Sequence, residues 1–171
     1  MSRSARESAL TGNSRSACPC GSRLAYAECC GPLHDGAAAP DAAALMRSRY
    51  SAYVLAIEAY LLATWHPSTR PARIDPDGAL APQWLGLQVR RHVTTGPAAA
   101  IVEFVARYRV GGRAQRLHEV SHFVQQAGRW YYVDGEFPAA TGRSSAGKSP
   151  AATIHAGRKG NASAKSAGGR Q

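Results

Sequence analysis

The sequence predicts an α+β fold: a curled antiparallel sheet packed on N-terminal helices, preceded by a small metal-binding knuckle. Three observations carry this. Four cysteines, the only ones in the chain, fall within thirteen residues as Cys18-Pro-Cys20, an eight-residue spacer and Cys29-Cys30. Apolar residues then recur at spacings of three and four from Leu45 to Ile57. Beyond Pro82 the period drops to two, with glycine turns between the alternating runs. Helical period first and strand period after it place helices beside an antiparallel sheet.

The cysteine segment comes first, over residues 17–35. Cys18, Cys20, Cys29 and Cys30 suit a tetrahedral zinc ion with an all-sulfur shell. The rival reading is a pair of disulfides. Disulfide frameworks belong to secreted chains, and residues 1–17 hold no apolar run that could serve as a signal-peptide core. A cytoplasmic location with reduced thiols, and hence metal, is the expectation. Gly21 and Ser22 let the backbone turn beneath the sulfurs. The octet Gly21–Glu28 has room for a turn and a short helix ending at Cys29, with Gly31-Pro32 expected to stop it. Leu24 and Tyr26 are the expected apolar cover. His34 could replace one sulfur, but four thiols already complete the shell, so the metal would be structural.

Gly36 to Pro40 reads as a linker, and residues 41–137 carry nearly all the apolar pattern. Asp41 is a good N-cap for the helix that follows. Tyr60, Leu61 and Trp65 suggest a second short helix, ended before Pro67. Leu85, Leu87 and Val89 alternate as a strand face. So do Val102, Phe104, Ala106, Tyr108 and Val110. Gly111-Gly112 is a two-residue hairpin turn. In the next strand Leu117, Glu119, Ser121 and Phe123 share one face, and His118, Val120, His122 and Val124 the other. Gly128 marks another turn, and Trp130 to Val133 opens the last strand. This core is separate in sequence from the knuckle, so it is expected to stay folded when the metal is lost.

Charge is concentrated in the ends of the chain. The 171 residues carry a net charge of +10. Residues 138–171 hold six Lys/Arg and no acid, residues 1–17 hold three Arg and one Glu, and the middle holds twelve Arg against ten acids. Residues 1–16 and 138–171 lack the apolar surface to fold alone and are expected to be disordered tails. The basic C-terminal tail could engage RNA or a ribosome through phosphates, without base stacking because it has no aromatic residue. No stretch is long and apolar enough for membrane insertion.

The run Cys18-Pro-Cys20-Gly21-Ser22, then Tyr26, then Cys29-Cys30-Gly31 resembles the SEC-C motif. That zinc knuckle is best known from the end of a preprotein translocase ATPase, where it docks a chaperone and ribosomes. The resemblance implies a structural zinc and a protein-binding surface. A second set of segments is similar to the YchJ-like family of uncharacterised bacterial proteins: Leu45-Met-Arg-Ser-Arg-Tyr50, Thr64-Trp-His-Pro67, Trp84-Leu-Gly-Leu87, Phe104-Val-Ala-Arg107, Glu119-x-Ser121-x-Phe123 and Trp130-Tyr-Tyr-Val-Asp-Gly135. The resemblance spans about residues 17–137 and implies a cone-shaped domain of the nuclear-transport-factor-2-like superfamily. Many members carry a second knuckle after the cone. This chain has no cysteine beyond Cys30, which puts a two-knuckle mode of action in doubt.

A curled sheet closed by helices makes a cavity, and folds of this kind host enzymes and non-catalytic modules alike. Glu119, a carboxylate among apolar neighbours, could have a raised pKa and act as a base. The competing expectation is an ion pair with Arg47 or Arg49. Asp134 beside Gly135 reads as a turn residue and not an acid, His66 before Pro67 as a capping or packing histidine with a catalytic role as the alternative, and His118 and His122 as exposed. The function these residues support is a zinc-containing binding or adapter module, not an enzyme. The alternatives are a small-molecule enzyme using Glu119, and an RNA- or ribosome-associated factor using the basic tail.

Overall fold

The computed structural model describes residues 16–78 and 81–138. Apart from Ser16 and Pro138, both expected tails lie outside the described residues. Three helices, α1 (Gly31–His34), α2 (Ala42–Val54) and α3 (Glu58–Ala63), precede four strands. The strands are β1 (Gln83–Gly96), β2 (Ala99–Val110), β3 (Arg113–Gln126) and β4 (Arg129–Glu136), in one antiparallel sheet of order β1-β2-β3-β4. The α+β expectation holds: the sheet curls around the helices without closing.

Asp41 caps α2 as expected, its side chain accepting from the Ala44 N–H at 2.7 Å. Leu45, Met46 and Tyr50 face the sheet and are buried. Ser48, Arg49, Ser51 and Ala52 are buried as well. This helix is therefore not a simple amphipathic surface helix, because the knuckle covers the side that would otherwise meet solvent. Val54, expected on the apolar stripe, is exposed, and the chain turns at Ala56, whose φ is +55°. After α3 the chain is tied to the edge of β4. The His66 N–H donates to the Tyr132 carbonyl at 2.7 Å, and the Tyr132 N–H to the Thr64 carbonyl at 2.9 Å.

The concave face of the sheet supplies the rest of the core. Val102, Phe104, Ala106 and Tyr108 on β2 meet Leu117, Glu119, Ser121 and Phe123 on β3, and all eight are buried. Register pairs Phe104 with Glu119 and Val102 with Ser121. Gly111 and Gly112, at φ +57° and +77°, make the two-residue turn that joins these strands.

Two details of the sheet differ from expectation. β1 shifts register between Trp84 and Gly86. The bulge puts one extra residue between core-facing positions, so Trp84, Leu87 and Val89 pack on the core while Leu85 is exposed. Asp134 lies within β4 and not in a turn. Gly135 beside it is needed for close approach, since a Cβ there would overlap the Glu119 carboxylate.

Candidate metal centre and the cavity behind it

The knuckle is a tight loop followed by a helical turn. Ala17 bridges Ala25, the Cys18 N–H donates to the Leu24 carbonyl at 2.8 Å, and the Gly21 N–H returns to the Cys18 carbonyl at 3.1 Å. Gly21 takes φ +77°, which a side chain would resist. A single 3₁₀ turn, Tyr26–Glu28, delivers the chain to Cys29. Gly31-Pro32 then starts α1 and does not stop a helix. Proline is tolerated in a first turn because its missing N–H would have no partner there. Gly31 also lets the chain pass close to Tyr26, as an added Cβ would sit 2.9 Å from the Tyr26 carbonyl oxygen.

This geometry brings the Sγ atoms of Cys18, Cys20, Cys29 and Cys30 within 4.8 Å of one another. Cys20 and Cys29 are 3.6 Å apart, and Cys29 and Cys30 3.9 Å. Metal–sulfur bonds of ~2.3 Å in a tetrahedron give sulfur–sulfur edges of about 3.8 Å. The four thiols are free, so no disulfide competes. The set thus fits one tetrahedral metal ion with no open position. Without a cation the thiols share protons. Cys20 is pulled down to about 4, first by its hydrogen bond with Cys30. Cys30 is pushed up by the same bond and by burial. Burial chiefly raises Cys29. A bound cation would favour the thiolate at all four.

Hydroxyl groups approach the sulfurs. Ser22 Oγ lies 3.2 Å from Cys29 Sγ. Ser51 Oγ, from α2, donates to Cys30 Sγ at 3.4 Å and sits 3.7 Å from Cys18 Sγ. Arg47 donates to the Cys20 carbonyl at 3.3 Å. His34 is not a ligand. Burial lowers its pKa and keeps it neutral, so Nε2 donates to the Ser48 carbonyl at 2.9 Å and Nδ1 accepts from the Tyr26 hydroxyl at 2.7 Å. Tyr26 packs against the cysteines as expected, but Leu24 does not cover them and is 51% exposed. The knuckle is therefore docked on α2 through Arg47, Ser48 and Ser51. Sequence reasoning missed that docking. The only local signal was Ser51 placed three and four residues after Ser48 and Arg47, which puts these polar side chains on one face of the helix.

The sheet side of α2 lines a cavity of about 50 Å³, walled by Met46, Tyr50, Tyr53, Trp84, Phe104 and Phe123 among others. Arg49, Glu119 and Ser121 also reach it. Glu119 accepts from Ser121 Oγ at 2.8 Å and from the Tyr132 hydroxyl at 3.1 Å, both at Oε1. It forms no ion pair with Arg47 or Arg49, which corrects the expected pairing. Arg47 is committed to the knuckle. The Arg49 guanidinium donates to the Leu61 carbonyl and Thr64 Oγ1, each at 2.7 Å, and lies over the rings of Tyr132 and Trp65. Burial raises the Glu119 pKa, against the lowering effect of its two hydrogen bonds and of the Arg49 charge. The Tyr53 hydroxyl and Trp84 Nε1, both in residues lining the cavity, are buried with no hydrogen-bond partner, and burial pushes Tyr53 up to about 12. The cavity thus offers a proton acceptor with a raised pKa and two unused donors.

The remaining candidates lie elsewhere. His66 does not line the cavity; its Nδ1 is 2.6 Å from Ser68 Oγ and its Nε2 2.9 Å from Gln126 Nε2. His118 and His122 face outward and are only half-exposed, bound to Glu103 at 2.8 Å and to Asp134 at 2.6 Å.

Comparison with known proteins agrees with this arrangement. Residues 16–32 match the SEC-C motif, and residues 41–135 match the family described as "YchJ, middle NTF2-like domain". A UPF0225 protein of Methylibium petroleiphilum is 62% identical over 121 residues, covering 70% of this chain and 87% of the relative. One from Xanthomonas oryzae pv. oryzae is 59% identical over 118 residues, covering 68% and 92%. The solution structure of a SEC-C motif containing protein from Rhodopseudomonas palustris superposes with a TM-score of 0.64 at 37% identity, covering 72% of this chain and all of that one. A crystal structure of a SEC-C motif containing protein from Psychrobacter arcticus gives 0.61 at 30% identity, covering 80% and 88%. The cysteine cluster docked ahead of a curled sheet, together with these matches, shows that the chain belongs to the YchJ family of SEC-C motif proteins with an NTF2-like domain.

Proposed function

We propose that this protein is a zinc-containing binding module whose knuckle presents a surface to a protein partner. The observation that carries this reading is the closed shell of four sulfurs, spaced for a tetrahedral ion and held on α2. All-sulfur tetrahedral coordination favours zinc, and a site with no open position supports structure and not Lewis-acid chemistry. Thiols that must stay reduced suit a cytoplasmic setting; no helix of the described residues is long and apolar enough to cross a membrane. Leu24 stands exposed on the outer side of the loop beside Arg23, and this edge is the proposed docking patch. The test is metal analysis of protein purified without chelator, followed by affinity capture with wild type and Leu24→Glu. One zinc per chain is expected, with specific proteins missing from the variant's capture while zinc is retained. Absence of zinc would overturn the reading.

A second reading is favoured by Glu119, which lines the cavity without an ion pair beside the unused donors of Tyr53 and Trp84. In it, the cavity takes a small molecule and Glu119 acts as a base. Screening small neutral amides and ketones by NMR against wild type and Glu119→Gln tests this. Shifts confined to cavity residues would support it, and no shift at millimolar probe would remove it.

A further inference from the structure

The outward face of the sheet is divided by charge. Its acids occupy one half and are already engaged. Glu103 meets His118 at 2.8 Å and Arg91 at 3.7 Å, while Asp134 and Glu136 meet His122 at 2.6 and 3.9 Å. The other half, towards the β2–β3 hairpin, carries Arg107, Arg109 and Arg116, with Arg113 at the tip. All four are exposed, and none forms an ion pair with a described residue.

Register places Arg107 directly opposite Arg116. Directly opposed residues have Cβ atoms only ~4.5–5.5 Å apart, and like charges there destabilise the sheet. Arg109 follows on the Arg107 face, one strand repeat of about 6.8 Å further along. Beside them the β1 bulge exposes Leu85, which with Ala114 and Gln115 completes a shallow groove around Arg107 and Arg116. The fold thus carries a like-charge pair that its own acids do not relieve.

We propose that this arginine groove binds the phosphate backbone of single-stranded RNA. Arg107 and Arg116 stand close enough to share one anion, and Arg109 meets the next. A regular file of cations suits a polymer that carries one anion on every unit, and planar guanidinium forks suit phosphate oxygens. No aromatic ring lines the groove to stack a base, so binding is sequence-independent and salt-dependent. This site is separate from the knuckle and does not rest on the zinc reading.

The test uses the full chain, so that both tails are present throughout. Fluorescence anisotropy of a labelled oligouridine about twenty nucleotides long is followed over a salt series. Arg107→Gln with Arg116→Gln should weaken binding and flatten the slope of log K against log salt by ~0.7, the share of the one phosphate of a single strand that the pair neutralises together. Arg116→Glu should abolish the groove's contribution while leaving the melting temperature equal or higher, because it replaces a repulsive pair with an attractive one. Zinc content should be unchanged in both, which keeps this result apart from the fate of the zinc reading. Unaltered affinity and slope in the double variant would overturn the proposal. Displacement of the RNA by polyglutamate at equal charge concentration would also overturn it, in favour of an acidic protein segment.

Discussion

Arg49 and Glu119 are separated by the side chain of Tyr132. The guanidinium lies 4.7 Å above the Tyr132 ring centre, and the hydroxyl of the same residue donates to Glu119 at 3.1 Å. The two charges are thus coupled through one aromatic side chain and do not meet directly. Tyr132→Phe keeps the ring beneath Arg49 and removes one donor from a buried carboxyl. It should cost about 1–3 kcal/mol in chemical denaturation. Tyr132→Leu should cost more, since it also removes the cation–π interaction.

Glu119 sets a pH dependence. Its pKa is raised in the folded protein above the ordinary 4.5, so the unfolded chain releases this proton first. Its contribution to stability is complete below the ordinary value and is lost as pH rises through the folded one. Glu119→Gln has no proton to lose and keeps an oxygen to accept from Ser121 and Tyr132. The stability difference between variant and wild type should therefore shift in favour of glutamine as pH rises from about 4 to 8. A difference constant across denaturation curves in that range would refute the burial argument.

Disruption of the proposed metal site should reach beyond the knuckle. The sequence alone suggests that residues 41–137 stay folded independently. Ser51, Arg47 and the Ser48–His34–Tyr26 chain instead fasten the cysteine loop to α2, whose other side forms part of the main core. Cys18→Ser with Cys20→Ser should lower the melting temperature of the whole chain and speed amide exchange in α2. Exchange faster in residues 17–35 alone would show that the docking contributes little.

Ser51→Ala separates metal binding from docking. It keeps all four ligands and removes the one α2 hydroxyl that meets Cys18 and Cys30. Outer-shell hydrogen bonds to metal ligands typically change affinity by roughly 10- to 100-fold. In protein loaded with zinc in vitro, a chelator competition assay should show the metal still bound but more readily withdrawn.

Gly135→Ala tests the closeness of β4 to the cavity floor. The added methyl would overlap the Glu119 carboxylate, so either the strand or the Ser121 and Tyr132 bonds must give way. A loss of about 1–3 kcal/mol is expected, as for other overpacked sites. Combining the change with Glu119→Ala should recover part of it.

The local rules are readable along the chain. Cysteine spacing marks the candidate metal ligands, Asp41 marks the start of α2, and strict alternation places Val102 to Tyr108 and Leu117 to Phe123 on the buried face. Gly111-Gly112 marks its hairpin, because glycine adopts at no steric cost the positive φ that the two-residue turn takes at both positions. These features depend on neighbours a few residues away. Tertiary structure decided the rest. Leu85 alternates correctly, yet the register shift after Trp84 turns it to solvent. Gly31-Pro32 reads as a stop, yet it opens α1, and Gly31 lies close against the Tyr26 carbonyl. Arg47 and Arg49 lie two residues apart on one helix, but one was drawn to the cysteine loop and the other to the rings of Trp65 and Tyr132. In each case the deciding partner is set by the folded backbone, and no local pattern encodes which of two chemically suitable neighbours that backbone brings within reach.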